Sequence, residues 1–411
     1  MTLKKGSFKE VRKVNIIVQK FGGTSVSTKE KREKVIQKIK KAKNQGFDVV
    51  VVVSAMGRKG DAYSTDSLLD LIDISRENNK RITDMLMCCG EIISSAVISS
   101  ELLQEGIEAI PLTGGQAGII TDDEYSNAAI IRVQKENILT ILKEGKTPIV
   151  AGFQGMTEDG FFTTIGRGGS DTSASLIGAS LCADRIEIYT DVDGIMTADP
   201  RIVKNAEVIN VLSYDEVFQL ADHGAKVIHP RAVEVARNNN IPLYIKNTMN
   251  DSEGTIINNI SKEKNNRIIT SITSTNNRIQ VIVDKENNIN NAEYDNILDI
   301  IAYNNISLDL INIFPEKLVF TIEEYDKEKL KNIFNDLKLK YSLKENCSKI
   351  ALIGSGMRGI PGVMAKIYKA LSHEQIEVLQ TADSHMTIWC LISTCDLKLA
   401  INALHSAFVT N

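Results

Sequence analysis

Residues 47–57 read FDVVVVVSAMG, a run of five valines that ends in a polar loop with a glycine. A strand with one wet face alternates apolar and polar residues, so an unbroken apolar run marks a strand buried on both faces. The pattern recurs on either side. NIIVQKF (15–21) is a short apolar run, and IEAIPLTGG (107–115), KTPIVAGFQG (146–155), RIEIYTDVDG (185–194) and IPLYIKN (241–247) are further strands ending near glycine or polar residues. Between them, KEKREKVIQKIKKAKNQG (29–46) has helical spacing through Val35, Ile36, Ile39 and Ala42, with Gly46 as its stop. RITDMLMCCGEIISSAVISSELLQEG (81–106) reads as a long helix closed by Gly106. Strands and helices in alternation predict an α/β fold, a mostly parallel sheet covered by helices on both faces. Ligands of such sheets sit at the carboxyl ends of the strands, which is where the glycine-rich loops fall.

The 411 residues have room for two or three domains. With 43% hydrophobic and 24% charged residues the composition is that of a soluble globular protein, and a net charge of −4 argues against a dedicated nucleic-acid binder. No apolar run is read as reaching the length of a membrane span. The first residues, MTLKKGSFKEVRKVN, lack an apolar signal region, so residues 1–14 are read as a surface arm. Six cysteines and five histidines show no metal-ligand spacing, so no protein metal site is expected. Buried thiols in a reducing cytosol are the expectation, hence a cytoplasmic location.

Composition shifts near residue 258. NNISKEKNNR (258–267) is polar and asparagine-rich and reads as a linker. Beyond it, strand-helix-strand-strand-helix occurs twice at a constant offset of 70, pairing Ile306 with Ile376, Ile322 with Ile392, Asp326 with Asp396 and Asn332 with Asn402. The expected layout is a domain over 15–257 and a duplicated α+β region over 268–411, with repeats of about 268–342 and 343–411.

Two motifs mislead. EGKT (144–147) ends like a phosphate-binding loop, but the required first glycine would be Thr140. GSGMRG (354–359) follows the strand KIALI and precedes the helix VMAKIYKAL, yet too little chain follows for a dinucleotide domain; a tight turn or a small-ligand loop of a regulatory unit fits better. Other loops carry more. In FGGTSV (21–26), Gly22 and Gly23 allow backbone N–H groups to approach an anion, and Lys20 can reach a transferred phosphoryl group; the alternative is a turn with a solvated lysine. TTIGRGGSDTSASLIGASL (163–181) places Gly166, Gly168 and Gly169 before a helix, with Ser170, Asp171 and Thr172 where caps belong. Arg167 offers a fork for a carboxylate, and Asp171 either orients substrate or metal or caps the helix. YTDVDGIMTADPRIV (189–203) fits a loop around a base and ribose better than a calcium site. Lys226, in HGAKVIHP (223–230), is either a second phosphate contact or a surface lysine. Ser54 and Thr65 lie in a second polar loop. Glu91 stands in an apolar helix, where it needs a partner, either a substrate ammonium or a buried Arg or Lys.

Together KFGGTSV, SAMG, the GE of the long helix, TTIGRGGSDTSA, TDVDGIMTADPR and GAKVIHPRAVE occur in the order found in aspartokinases of the amino-acid kinase family, and the chain resembles that family from about residue 15 to its end. The resemblance implies a three-layer αβα catalytic domain followed by tandem ACT domains of ferredoxin-like fold. It is similar in particular to the diaminopimelate-sensitive subclass of spore-forming bacteria, through VVSAMGRKGDAYSTDSLL and LQTADSHMTIWCL.

The resemblance further implies ATP contacts at Lys20, Phe21, Gly22, Gly23, Ser54, Asp171, Thr190, Asp191, Met196, Thr197, Ala198, Asp199, Pro200, Arg201 and Lys226. It implies aspartate contacts at Thr65, Glu91, Arg167, Gly168, Gly169 and Ser170, with Lys20, Asp171 and Glu91 as the catalytic set. An amino-acid effector, lysine or meso-diaminopimelate, would meet Asn312, Gly356, Met357, Ile360, Pro361, Gly362, Val363, Thr381 and Asp383. The first repeat departs from the family, having DKENNINNAEYDN where Pro361 and Gly362 stand in the second. ATP with Mg2+, a homodimer through the ACT domains, and no nucleic-acid or membrane partner complete the expectation. The nucleophile would be the aspartate side-chain carboxylate, ionised at neutral pH with an ordinary pKa of about 4, so no general base is needed.

Overall fold

The computed structural model describes residues 15–72, 79–222, 224, 227–259, 267–288, 293–357 and 359–409. The expected arm 1–14 and most of the expected linker lie outside the described residues, as does Lys226. The described residues form two compact units, 15–195 with 210–214 and 227–259, and 196–209 with 215–222 and 267–409.

In the first unit the chain order is β1 (Ile16–Phe21), α1 (Gly23–Val26), α2 (Lys29–Asn44), β2 (Asp48–Val53), α3 (Thr65–Leu69), α4 (Lys80–Gln104), β3 (Ala109–Leu112), β4 (Ile119–Thr121), β5 (Ile130–Val133) and α5 (Glu136–Lys143). There follow β6 (Thr147–Ala151), β7 (Gln154–Met156), β8 (Phe162–Thr164), α6 (Gly169–Leu181), β9 (Arg185–Thr190) and β10 (Val211–Ser213); α7 (Tyr214–Asp222) leaves for the second unit, and α8 (Pro230–Asn238), β11 (Leu243–Asn247) and β12 (Thr255–Asn258) complete the first.

Eight strands form one sheet in the order β10-β12-β11-β9-β1-β2-β6-β3. Every neighbouring pair is parallel except β11 with β12. The valine run is β2, flanked by β1 and β6, and Val49 to Val53 are all buried. Val49, Val51 and Val53 share one face with Ile17 and Phe21, under Val35, Ile36 and Ile39 of α2 and Ile98 and Leu102 of α4. α6 packs on the sheet as well, along β1, β2 and β9. Each such side chain contributes about 1.5 kcal/mol or more relative to exposure, which is why the run cannot alternate. Thr28 caps α2 by accepting from the Lys31 amide at 3.4 Å, and Gly46 follows its end at φ 86°, the stop read from the sequence. A smaller sheet, β5-β4-β7-β8, was not expected from the sequence because its strands are only three or four residues long.

α4 corrects one expectation. By length and composition it is the one helix among the described residues able to cross a membrane. Yet it buries Asp84 and Glu91 and packs along β3, β6 and β8, as the core helix of a folded unit does.

In the second unit β13 (Ser271–Asp284), α9 (Ile297–Tyr303), β14 (Asp309–Ile313), β15 (Lys317–Glu323) and α10 (Lys327–Asp336) are followed by β16 (Ser342–Ile353), α11 (Val363–His373), β17 (Gln380–Asp383), β18 (Thr387–Ser393) and α12 (Leu397–Phe408). The two copies share one sheet, β14-β15-β13-β16-β18-β17. They lie side by side: β13 pairs with β16 of the other copy at both of its ends (Ile272 with Leu352, Val281 with Leu343) and with β15 of its own copy (Val281 with Phe320).

Residues 196–209 and 215–222 group with the C-terminal residues in the second unit, where Ala198 and Val203 are buried in the core built by Ile350, Leu352, Ile367 and Leu404. Of GSGMRG, Gly354 to Met357 and Gly359 are described, between β16 and α11; a Cβ on Gly354 would lie 2.2 Å from the Ile268 carbonyl oxygen, so glycine is required by close packing.

Leu102→Ala, on the buried face of the last turn of α4, should destabilise the first unit by about 2–5 kcal/mol, read as a lowered urea midpoint for that unit's transition.

Candidate active site

The loops after β1 and β2 are fitted to each other. The Ser54 amide donates to the Phe21 carbonyl at 3.1 Å and the Gly57 amide to the Gly23 carbonyl at 3.0 Å. A Cβ on Gly23 would lie 2.5 Å from the Ala55 carbonyl oxygen, so no larger residue fits there. The loop from β8 to α6 is shaped by Gly166 and Gly168, both at positive φ. Gly168 presses against His229, whose Cγ would lie 2.1 Å from an added Cβ. α6 therefore begins at a glycine with no side-chain cap; its Gly169 N–H donates to the Gly166 carbonyl at 3.1 Å, and the remainder of its first turn and its dipole face a potential anion.

These loops enclose a cavity of about 330 Å³ lined by Lys20, Gly23, Ser54, Thr65, Glu91 and the start of α6 from Gly168 to Asp171. Lys20, opposite Val52 and Ile188 in the sheet, pairs with Asp171 at 2.6 Å, so that aspartate holds a lysine. Glu91 is 3% exposed. One of its oxygens accepts from the Ala55 amide at 3.0 Å, and the other has no partner among the described residues. Burial pushes its pKa up to about 8, with the bond from Ala55 opposing. Among the described residues no buried Arg or Lys satisfies it, which leaves a carboxyl group poised for a cation from outside.

Other expected residues fall elsewhere. Phe21 is in the core, stacked on Tyr189 with centroids 4.8 Å apart, so its side chain meets no ligand. The Gly22 amide already donates to the Tyr189 carbonyl at 3.2 Å, which leaves Gly23 as the lining member of the pair. Arg167 is exposed on the β8–α6 loop and does not line the cavity. Thr190 and Asp191 line a second cavity of about 320 Å³ with Thr24, Lys31, Arg58 and Thr248; Asp191 pairs there with Arg58 at 2.7 Å. The stretch Met196 to Arg201 belongs to the second unit. In it the Thr197 hydroxyl bonds to His405 at 2.9 Å, Ala198 is core, and Asp199 pairs with Arg201 at 2.7 Å; Pro200 lies between them. Thr197 and Ala198 thus offer a ligand no free side-chain group.

Among the expected effector residues, the Asn312 side-chain oxygen accepts from Gln380 at 2.6 Å, which joins β14 to β17, the strand carrying Thr381 and Asp383. Gly356, Met357 and Ile360 to Gly362 lie before α11, which Val363 begins; Met357 is buried and Ile360 exposed. Sequence reasoning missed Gly57, Phe153, Asp84, His229 and Arg231. Only Asp84 carried a signal, an acid two helical turns before Glu91 in the same apolar helix.

Residues 15–247 match the model of the Amino acid kinase family, and residues 342–406 that of the ACT domain. Aspartokinase 1 of Bacillus subtilis (strain 168) is 44% identical over 401 residues, which is 96% of this chain and 99% of that protein. The solved aspartate kinase of Clostridium acetobutylicum superposes with a TM-score of 0.80 at 24% identity, over 95% of this chain and 100% of that one. E. coli aspartokinase III, solved with aspartate and ADP, gives 0.74 at 23% identity, over 97% and 100%. At these identities the two structures speak for the fold.

Glu91 also sets a dependence of stability on pH. Its folded pKa of about 8 exceeds the unfolded value, so the empty protein loses stability as pH rises from about 5 to 8. Glu91→Gln removes that loss. The melting temperature of the variant relative to the native chain should rise across this window; a constant difference would contradict the burial argument.

Proposed function

The chain belongs to the aspartokinases of the amino acid kinase family, and from this premise we propose how it phosphorylates the side-chain carboxylate of L-aspartate with ATP. The observation that carries the reading is one cavity holding a paired lysine, the open start of a helix and a buried carboxyl group with a free oxygen. Glu91 takes the substrate ammonium, losing its proton as the cation arrives. Gly168 to Ser170 and an inward-folded Arg167 take the α-carboxylate. The β-carboxylate then faces Lys20, which neutralises the transferring phosphoryl group together with Gly23 and the first turn of α6. Asp171 orients the lysine, and the hydroxyls of Ser54 and Thr65 complete the wall. The attacking group is already an anion, so alignment and charge neutralisation suffice.

ATP brings Mg2+. No cluster of three or more His, Cys, Asp or Glu side chains able to hold a metal exists among the described residues, and Asp171 is the carboxylate beside Lys20. That donor set fits magnesium that would be held chiefly by phosphate oxygens and water, with Asp171 as the residue to hold it, and that would there draw charge from the phosphoryl oxygens.

The reaction serves amino-acid biosynthesis, opening routes to lysine, diaminopimelate, threonine and methionine in the cytoplasm. The tandem ACT region binds an amino-acid effector, lysine or meso-diaminopimelate, and joins two chains as a homodimer. Deleting residues 263–411 is a poor test of sensing, because Ala198 and Val203 would lose the core that buries them.

Lys20→Ala should lower kcat about a hundredfold or more in an ATP-dependent hydroxamate assay with unchanged folding; near-native turnover would refute the role. Asn312→Ala and Thr381→Ala should relieve inhibition by lysine or meso-diaminopimelate while sparing the uninhibited rate. Undiminished inhibition in both would remove β14 and β17 from the effector site.

A further inference from the structure

We propose that Asp84 is a positioning residue that sets the seat of the 165–169 loop relative to Glu91; this rests on the reading that the loop and Glu91 hold the two ends of aspartate. Asp84, Cys88 and Glu91 fall at i, i+4 and i+7 of α4 and so share one face of the helix. Asp84 is wholly buried and has no cation partner among the described residues. Instead its carboxylate accepts from the Thr164 amide at 2.7 Å, the Thr164 hydroxyl at 3.0 Å, the Ser126 amide at 2.9 Å and the Ser126 hydroxyl at 3.3 Å. Burial raises its pKa against the pull of these four bonds.

The two residues it grips are not ordinary packing partners. Thr164 is the last residue of β8, directly before the loop that carries Arg167 and Gly168. Ser126 is a non-glycine residue at φ 76°, in the connection from β4 to β5. From another side, Arg231 of α8 donates to the Ile165 carbonyl at 2.8 Å. The root of the loop is therefore tied to the same rigid helix that presents Glu91, about 10 Å further along its axis.

Joining α4 to the sheet does not require an acid. Elsewhere the buried face of the helix does so with Met87, Ile98 and Leu102. A buried carboxylate is unfavourable unless fully bonded, and what four directed bonds add over apolar contact is a fixed position. A small zwitterion held at both ends needs that, since a displacement of about 1 Å in one anchor is enough to lose productive alignment.

Asp84→Asn keeps the size and loses acceptors and charge. In the full-length chain it should raise the KM for aspartate about tenfold or more, with the KM for ATP unchanged and kcat reduced much less. A lowered melting temperature with aspartate KM unchanged would make Asp84 merely structural and overturn the proposal. Should this variant fail to fold, Thr164→Val and Thr164→Ser decide. The valine should raise the aspartate KM severalfold and the serine, which keeps the hydroxyl, should restore it; equal values overturn the proposal. Arg167→Gln in the same series separates the two levels. If it raises the aspartate KM while Asp84→Asn does not, the positioning role falls and the reading of the loop stands; if neither moves it, both fall.

Discussion

A carboxyl group that is 3% exposed, accepts one backbone bond and meets no cation among the described residues is a large unfavourable contribution to the folded state. Much of the first unit is arranged around Glu91. It sits on α4, whose Ile98 and Leu102 pack into the core of the sheet. The glycine loops bring Lys20, the ion-paired Asp171 and the uncapped start of α6 into the same cavity. The empty site is therefore incomplete electrostatically, and a ligand with one ammonium and an anionic end relieves it. Binding and catalysis use the same incompleteness, since the groups that hold the substrate are already fixed when it arrives.

The second unit shows a different constraint. A segment from the middle of the chain, 196–209, contributes Ala198 and Val203 to the core of the C-terminal residues. That segment continues directly from the strand end bearing Thr190 and Asp191. Thr197 is bonded to His405 of α12, so the regulatory core and the segment cannot rearrange independently. The pairing of β13 with β16 has the same effect between the two repeats, because each of these long strands pairs with its own copy on one side and with the other copy on the other. Gln380 adds a polar tie, bonded to Asn312 and to Gln280.

What was legible from the amino-acid order followed periodicity. The valine run, the apolar stripe of α2, the stops at Gly46 and Gly106 and the duplicated tail are local patterns set by burial and by backbone geometry, and they appear where the sequence places them. Loop identity was legible as well, because Gly23 and Gly168 stand where a Cβ would strike the Ala55 carbonyl or His229. The three- and four-residue strands of the small sheet were not legible, since so few residues cannot establish a period.

The sequence by itself determined the parallel sheet, the family and the residues Lys20, Glu91 and Asp171, because each is written in a run or a motif. Only the tertiary structure decided their partners: that Asp171 holds Lys20, that Glu91 finds no protein cation, that the Gly22 amide is already bonded to Tyr189, and that Met196 to Arg201 pack with the C-terminal core. Partners of that kind join residues far apart in the chain. They are fixed by which surfaces become buried together, and local residue order leaves no record of that.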